Sequence, residues 1–304
     1  MGECEEWAAV YEAPLAGSGL PVYFVDHEGF FGRDGIYGDA TERDYSDNPR
    51  RFAFFSRAAL QLCRKLSWIP DIVHVHDWPA SLAAVYMRCG LAGQEYSRSA
   101  SVLTIHNLGY QGSYHKNHFP YFGLPWEAFH DCGIEHYGTM NLLKAGISCA
   151  DKLTTVSPSY AAEIQTAEQG HGLDGLLRHR SADLTGILNG VDLDDWNPAT
   201  DRFLPARYSP DDLSGKALCK TALQREFGLP EDASLPLIGM VSRLAGQKGI
   251  EELFSPGYGA AASFCRDMRL QFVVLGSGEA WCEAELRSLS SRLPNFRARI
   301  GYSE

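Results

Sequence analysis

Short apolar runs alternate with longer amphipathic stretches along this chain, the pattern of a parallel β-sheet covered by helices. The runs predict strands at 21–25, 71–76, 101–106, 152–157, 184–188, 235–241 and 270–275. Ile72, Val73 and Val75 in one, and Phe272, Val273, Val274 and Leu275 in another, are near-continuous hydrophobics. Strands buried on both faces have that composition. Helices are expected between them. Asn48-Pro49 opens one, with proline tolerated in the first turn. Its Phe52, Phe55, Ala59, Leu62 and Leu66 recur at spacings of three and four, so they share an apolar face. A second helix, 214–227, stops at Gly228 with Pro230 beyond, and a third, 280–293, stops at Pro294. Between Gly249 and Leu270 the text is broken by Gly257, Gly259 and Pro256, a poor version of one long helix.

The stretch 195–213 holds Pro198, Pro205 and Pro210 among polar residues, and a new strand–loop–helix series follows it. It reads as a linker, with one domain at 1–194 and a second at 214–304. The second ends just after the strand-like FRARIG at 296–301, with no closing helix, so the chain is expected to be cut short there.

In open α/β sheets, ligands sit where loops converge at the carboxyl ends of strands. Those loops carry the candidate chemistry. After 71–76 comes Asp77-Trp78-Pro79, preceded by His74 and His76. After 101–106 the loop runs His106-Asn107-Leu108-Gly109-Tyr110-Gln111-Gly112, and after 184–188 it begins Asn189-Gly190. Arg243 and Lys248 leave the strand 235–241 on a turn with Gly246 and Gly249, and Gly276-Ser277-Gly278 follows 270–275. A guanidinium and an ammonium on such a turn suit a phosphate; solvated surface cations are the alternative. The spacing is not that of a Walker A loop, and Trp281 occupies the third glycine position of a dinucleotide fingerprint. Gly276 and Gly278 fit either a nucleotide contact or a plain tight turn. Asp77 fits either a substrate hydroxyl or a helix cap. His74 and His76 point to one face and admit a zinc site, although no glutamate stands at metal spacing.

Composition narrows the classes. The 304 residues carry a formal charge of −11, which argues against a general binder of nucleic acid or anionic membrane. No run of about 18 apolar residues occurs. The eight cysteines form no C-x-x-C and are expected as free thiols in a reducing cytosol.

Taken in order, Pro21–Phe24 with Asp26-His27, HVHDWP at 74–79, TIHNLGYQG at 104–112, LKAGISCADKLTTVSPSYAAE at 143–163, GILNGVDLDDWNP at 186–198 and VSRLAGQKG at 241–249 resemble the bacterial glycogen synthases and the related starch synthases. The resemblance implies an α/β chain of GT-B type, two Rossmann-like domains facing across a cleft. It implies a cytoplasmic retaining glucosyltransferase that moves glucose from ADP-glucose to the non-reducing end of an α-1,4-glucan, with no metal or cofactor. Arg243 and Lys248 match the family's diphosphate-binding pair, and His106 its histidine beside the donor glucose. Asp77 and Asn189 match polar cleft residues, Gly276 and Gly278 the turn near the nucleotide, and Tyr110 and Gln111 join the substrate-binding set. Asp192 and Asp194 form D-x-D inside the family's NGVD segment and are discounted as metal ligands. The family's lysine–glycine–glycine loop has no match before Pro21, and its donor-gripping glutamates lie beyond Glu304. A chain cut at both ends is therefore expected, and with it weak or absent activity; a fragment that only binds glucan or nucleotide is the alternative.

Overall fold

The structure, a computed structural model, describes residues 5–39 and 44–302. Cys4 and Glu304 lie outside the described residues. The chain divides into two units, Met1–Gly190 and Val191–Glu304.

The first unit is organised by four parallel strands whose spatial order equals their chain order: Ile72–His76, Ala100–Ile105, Lys152–Thr155 and Leu184–Gly186. Leu103, Ile105 and Leu153 in the two central strands are fully buried. Ile72 departs from the expectation of two buried faces and is 59% exposed, because its strand is the sheet's edge. The strand read at 21–25 also forms, as Pro21–Asp26, but outside this sheet. It pairs antiparallel with Ala9–Pro14, an additional strand, in register from Ala9 opposite Asp26 to Pro14 opposite Pro21.

The helix Asn48–Lys65 turns a different face inward from the one its large residues suggest. Pro49, Phe52, Ala53, Ser56 and Leu60 are buried, while Phe55 and Leu66 are exposed. The buried side packs along the helix Asp77–Arg88, where Ser56 Oγ donates to the Pro79 carbonyl at 3.4 Å. Ala53 and Ser56 lie on this buried side among the larger Phe52, Phe54 and Leu60. Arg51, 2% exposed, projects from the same helix to the carbonyls of Phe30 and Ile36 and to Asn48 Oδ1, at 2.6, 3.0 and 2.6 Å. It thereby satisfies backbone groups that burial would leave unpaired.

The second unit has three parallel strands in the order Leu237–Val241, Gln271–Gly276, Phe296–Ile300. The central one is buried on both faces, as its hydrophobic run implies, and Phe272, Phe254, Phe296 and Leu286 meet in one core. Helices Ser214–Glu226 and Ala280–Arg292 form and end within two residues of where the stop signals place them, and 250–267 breaks into Ile250–Phe254 and Ala260–Asp267. All seven described cysteines are free thiols; the sulfurs of Cys89 and Cys132 lie 2.9 Å apart. Among the described residues no helix is long and apolar enough to cross a membrane.

Candidate functional site

In the first unit the strand ends gather three predicted residues around one another. The strand Ile72–His76 passes into its helix at Asp77 with no intervening loop, which forces Asp77 to a left-handed φ of 54°. Only glycine adopts that region freely, and aspartate tolerates it better than most. The turn aims the carboxylate sideways, and Asp77 Oδ1 accepts the backbone N–H of His106 at 2.8 Å. His106 is held a second time: its Nε2 lies 3.0 Å from Nδ1 of His76. Burial, then the neighbouring His74 and His106, push the pKa of His76 down, against the opposing pull of Asp77.

The rest of that loop is tied down from behind. Asn107 Oδ1 accepts from Gly109 N–H at 2.9 Å, and Tyr160 Oη accepts from Leu108 N–H at 3.1 Å. The Gln111 amide nitrogen donates to the carbonyls of Leu108 and His171, each at 3.1 Å, and its oxygen accepts from buried Asn141 at 2.6 Å. Asn141 also caps the helix Leu142–Cys149, so the loop is anchored to that helix's first turn. Gly112, at φ 62°, sits so close to Trp78 that an added Cβ would come 2.5 Å from the ring. Between these groups opens a cavity of about 410 Å³ lined by Trp78, Tyr110, Gln111, Tyr114 and His171. Gln111 is thus a structural tie as well as a cavity wall, and Tyr110 is 52% exposed at its rim. Asn189 is exposed at the end of the unit, beyond the last strand. Asp192 accepts from the amides of Asp194 and Asp195 at 3.0 and 3.2 Å, which makes it a turn-former.

Among the described residues no group of three or more histidine, cysteine or acidic side chains is arranged to hold a metal ion. His74 is engaged elsewhere, with Nε2 2.7 Å from Thr104 Oγ1.

In the second unit, Arg243 and Lys248 are both exposed, and neither side chain makes a hydrogen bond or ion pair among the described residues, although both backbones are bonded within the turn. Their turn is nevertheless rigidly framed. Leu244 N–H donates to Ser277 O at 2.9 Å and Glu279 N–H to Leu244 O at 2.8 Å, lacing it to the Gly276–Gly278 turn. A Cβ on Gly276 would overlap the Ser242 carbonyl, so the glycines serve close backbone approach. Glu279, which the sequence did not single out, closes the frame: its carboxylate accepts from Gly246 N–H at 3.0 Å and from the Trp281 indole at 2.5 Å. The turn thus carries two exposed cationic side chains, Arg243 and Lys248, on a backbone pinned by hydrogen bonds.

Comparison with known proteins places the chain in a family. The family profile of the starch synthase catalytic domain matches residues 1–179. The glycogen synthase of Treponema denticola is 54% identical over 304 residues, all of this chain and 62% of that protein. That of an Anaeromyxobacter species is 50% identical over 292 residues, covering 93% of this chain and 59% of its own length. The chain thus spans about three fifths of these relatives. The catalytic domain of starch synthase IV from Arabidopsis thaliana, solved bound to ADP and acarbose, superposes with a TM-score of 0.80 at 33% identity, covering 98% of this chain and 64% of that one. The α/β class expected from the alternation of apolar runs and amphipathic stretches holds in both units, and the chain belongs to the glycogen synthase and starch synthase family.

Proposed function

We propose that the protein is a retaining glucosyltransferase that moves glucose from ADP-glucose to the non-reducing end of an α-1,4-glucan, in the cytosol and without a metal ion. The observation that carries this reading is the Arg243–Lys248 turn, whose cationic side chains make no ion pair among the described residues. As the bond between the glucose C1 and the β-phosphate oxygen lengthens, negative charge grows on that phosphate. A guanidinium and an ammonium held beside it stabilise the transition state more than the ground state. The glucan 4-hydroxyl attacks C1 from the face the leaving group departs, its proton passes to the β-phosphate, and ADP is released.

On the sugar side, His106 and Asp77 contribute a fixed loop: the carboxylate orients the His106 amide, and the ring beside it is available to the glucose. The cavity walled by Trp78, Tyr110 and Tyr114 is of a kind that suits glucan, since aromatic faces pack against sugar rings and Gln111 is close by for their hydroxyls. The named ligands of the Arabidopsis structure, ADP and acarbose, support a nucleotide and an oligosaccharide as the two ligand classes.

The test is incorporation of label from ADP-[14C]glucose into maltooligosaccharide, with ADP release followed in parallel. Labelled glucan and ADP in equal amounts, undiminished by a chelator, are expected. Binding of both ligands with no transfer would leave only the binding reading standing.

A further inference from the structure

The ring of His76 stands between two others. It lies against His74, with centroids 4.3 Å apart and planes at 36°, and its Nδ1 is 3.0 Å from Nε2 of His106. An N···N contact of that length requires one proton and admits only one: one ring donates and the other offers its lone pair. The tautomers of the two histidines are therefore linked. If His106 donates from Nε2, its Nδ1 is an acceptor and His76 carries its own proton on Nε2. If His76 donates from Nδ1, His106 carries its proton on Nδ1. A first added proton goes to an outer nitrogen and leaves the bond in place. A second would set two N–H groups face to face and break it.

The surroundings hold this arrangement. His74, from the same strand, is fixed by Thr104 Oγ1 at 2.7 Å, and Thr104 by Thr154 Oγ1 at 2.6 Å, a polar ladder across three strands. Asp77, from the start of the following helix, and His106, from the neighbouring strand's loop, are the other titratable groups facing His76. His74 and His106 both disfavour charge on the His76 ring, and Asp77 favours it.

We propose that His76 is the positioning residue for His106: it selects that ring's tautomer and holds its plane, while Asp77 holds the backbone amide of the same residue. The consequence for catalysis rests on the transfer reading above, in which the His106 ring serves the glucose. The tautomer linkage itself does not.

Nitrogen-15 NMR of the imidazole rings tests it on the intact chain. His76→Phe keeps an aromatic ring and removes both nitrogens; His76→Asn returns an amide near the place of Nδ1. Near pH 8 the wild-type His106 is expected in the tautomer complementary to that of His76, whichever of the two arrangements the pair adopts. In His76→Phe it becomes an exchanging mixture of tautomers, and in His76→Asn, whose amide can donate or accept, a hydrogen bond to His106 Nε2 returns. In transfer assays His76→Phe lowers kcat about tenfold with the nucleotide-sugar KM within about twofold, and His76→Asn recovers most of the rate. A His106 tautomer unchanged in His76→Phe, with the fold intact by circular dichroism, overturns the proposal. The NMR response in a protein that transfers no glucose supports the linkage and refutes the transfer reading instead.

Discussion

Single residues carry much of the precision at the loop 106–112. Asp77 occupies a left-handed conformation so that its carboxylate reaches the His106 amide, and Gly112 occupies another so that the chain slips past Trp78. The second is the less forgiving. Gly112→Ala places a methyl 2.5 Å from an indole that is itself buried, at a φ alanine avoids. Neither the ring nor the backbone can yield cheaply, and destabilisation of about 3 kcal/mol is expected, read as a lowered urea midpoint. A midpoint unchanged in Gly112→Ala would mean that the ring moves aside freely. The His106 and Gly112 positions were legible in the sequence because they sit in a polar, glycine-bearing run directly after a hydrophobic one. His76 was not legible as a partner of His106. Two residues thirty positions apart become neighbours only when two parallel strands align His76 with Thr104, a register the chain text does not state.

Elements show the same division between local and non-local information. Helices Asn48–Lys65, Ser214–Glu226 and Ala280–Arg292 were legible from proline, glycine and spacing, because those signals act within a few residues. The buried face of the first was not. Ala53 and Ser56 lie inward and Phe55 outward where the helix packs along Asp77–Arg88, and hydrophobic size alone cannot report that. Pro21–Asp26 likewise read as a strand, but its pairing with Ala9–Pro14 depends on a partner whose own sequence alternates weakly. In the second unit Glu279 was missed since it follows the glycine turn by a single residue and reads as an ordinary helix-start acid. Its bond to Gly246 N–H sets the cationic turn, so Glu279→Ala should weaken ADP binding roughly fivefold while costing about 1 kcal/mol of stability or less, as the exposed amide turns to water. Calorimetric titration of ADP distinguishes this from a purely structural glutamate, whose loss would leave the dissociation constant unchanged.

At the scale of the whole molecule, the thiols set an alkaline limit on stability. Burial and the adjacent Cys132 push the Cys89 thiol up to about 12, and burial raises Cys149 as well. A thiol in the unfolded chain ionises near ~8.5. The folded state therefore keeps protons that the unfolded state releases, and their stabilisation is complete below about pH 8.5 and lost as pH rises from there toward 12. Urea midpoints should fall between about pH 9 and pH 10, and the fall should be shallower in Cys89→Ala with Cys149→Ala; parallel declines would assign it elsewhere.

The division into Met1–Gly190 and Val191–Glu304 places the loop 106–112 and the cationic turn on separate units, and the proposed function stands on the second of these acting as an anion site. Titrating ADP into the wild-type protein and into Arg243→Ala by calorimetry tests it most directly. The account predicts a dissociation constant at least about tenfold weaker in Arg243→Ala, the loss of one charge-assisted contact to phosphate. Equal affinity in the two proteins, with the fold intact, would contradict it.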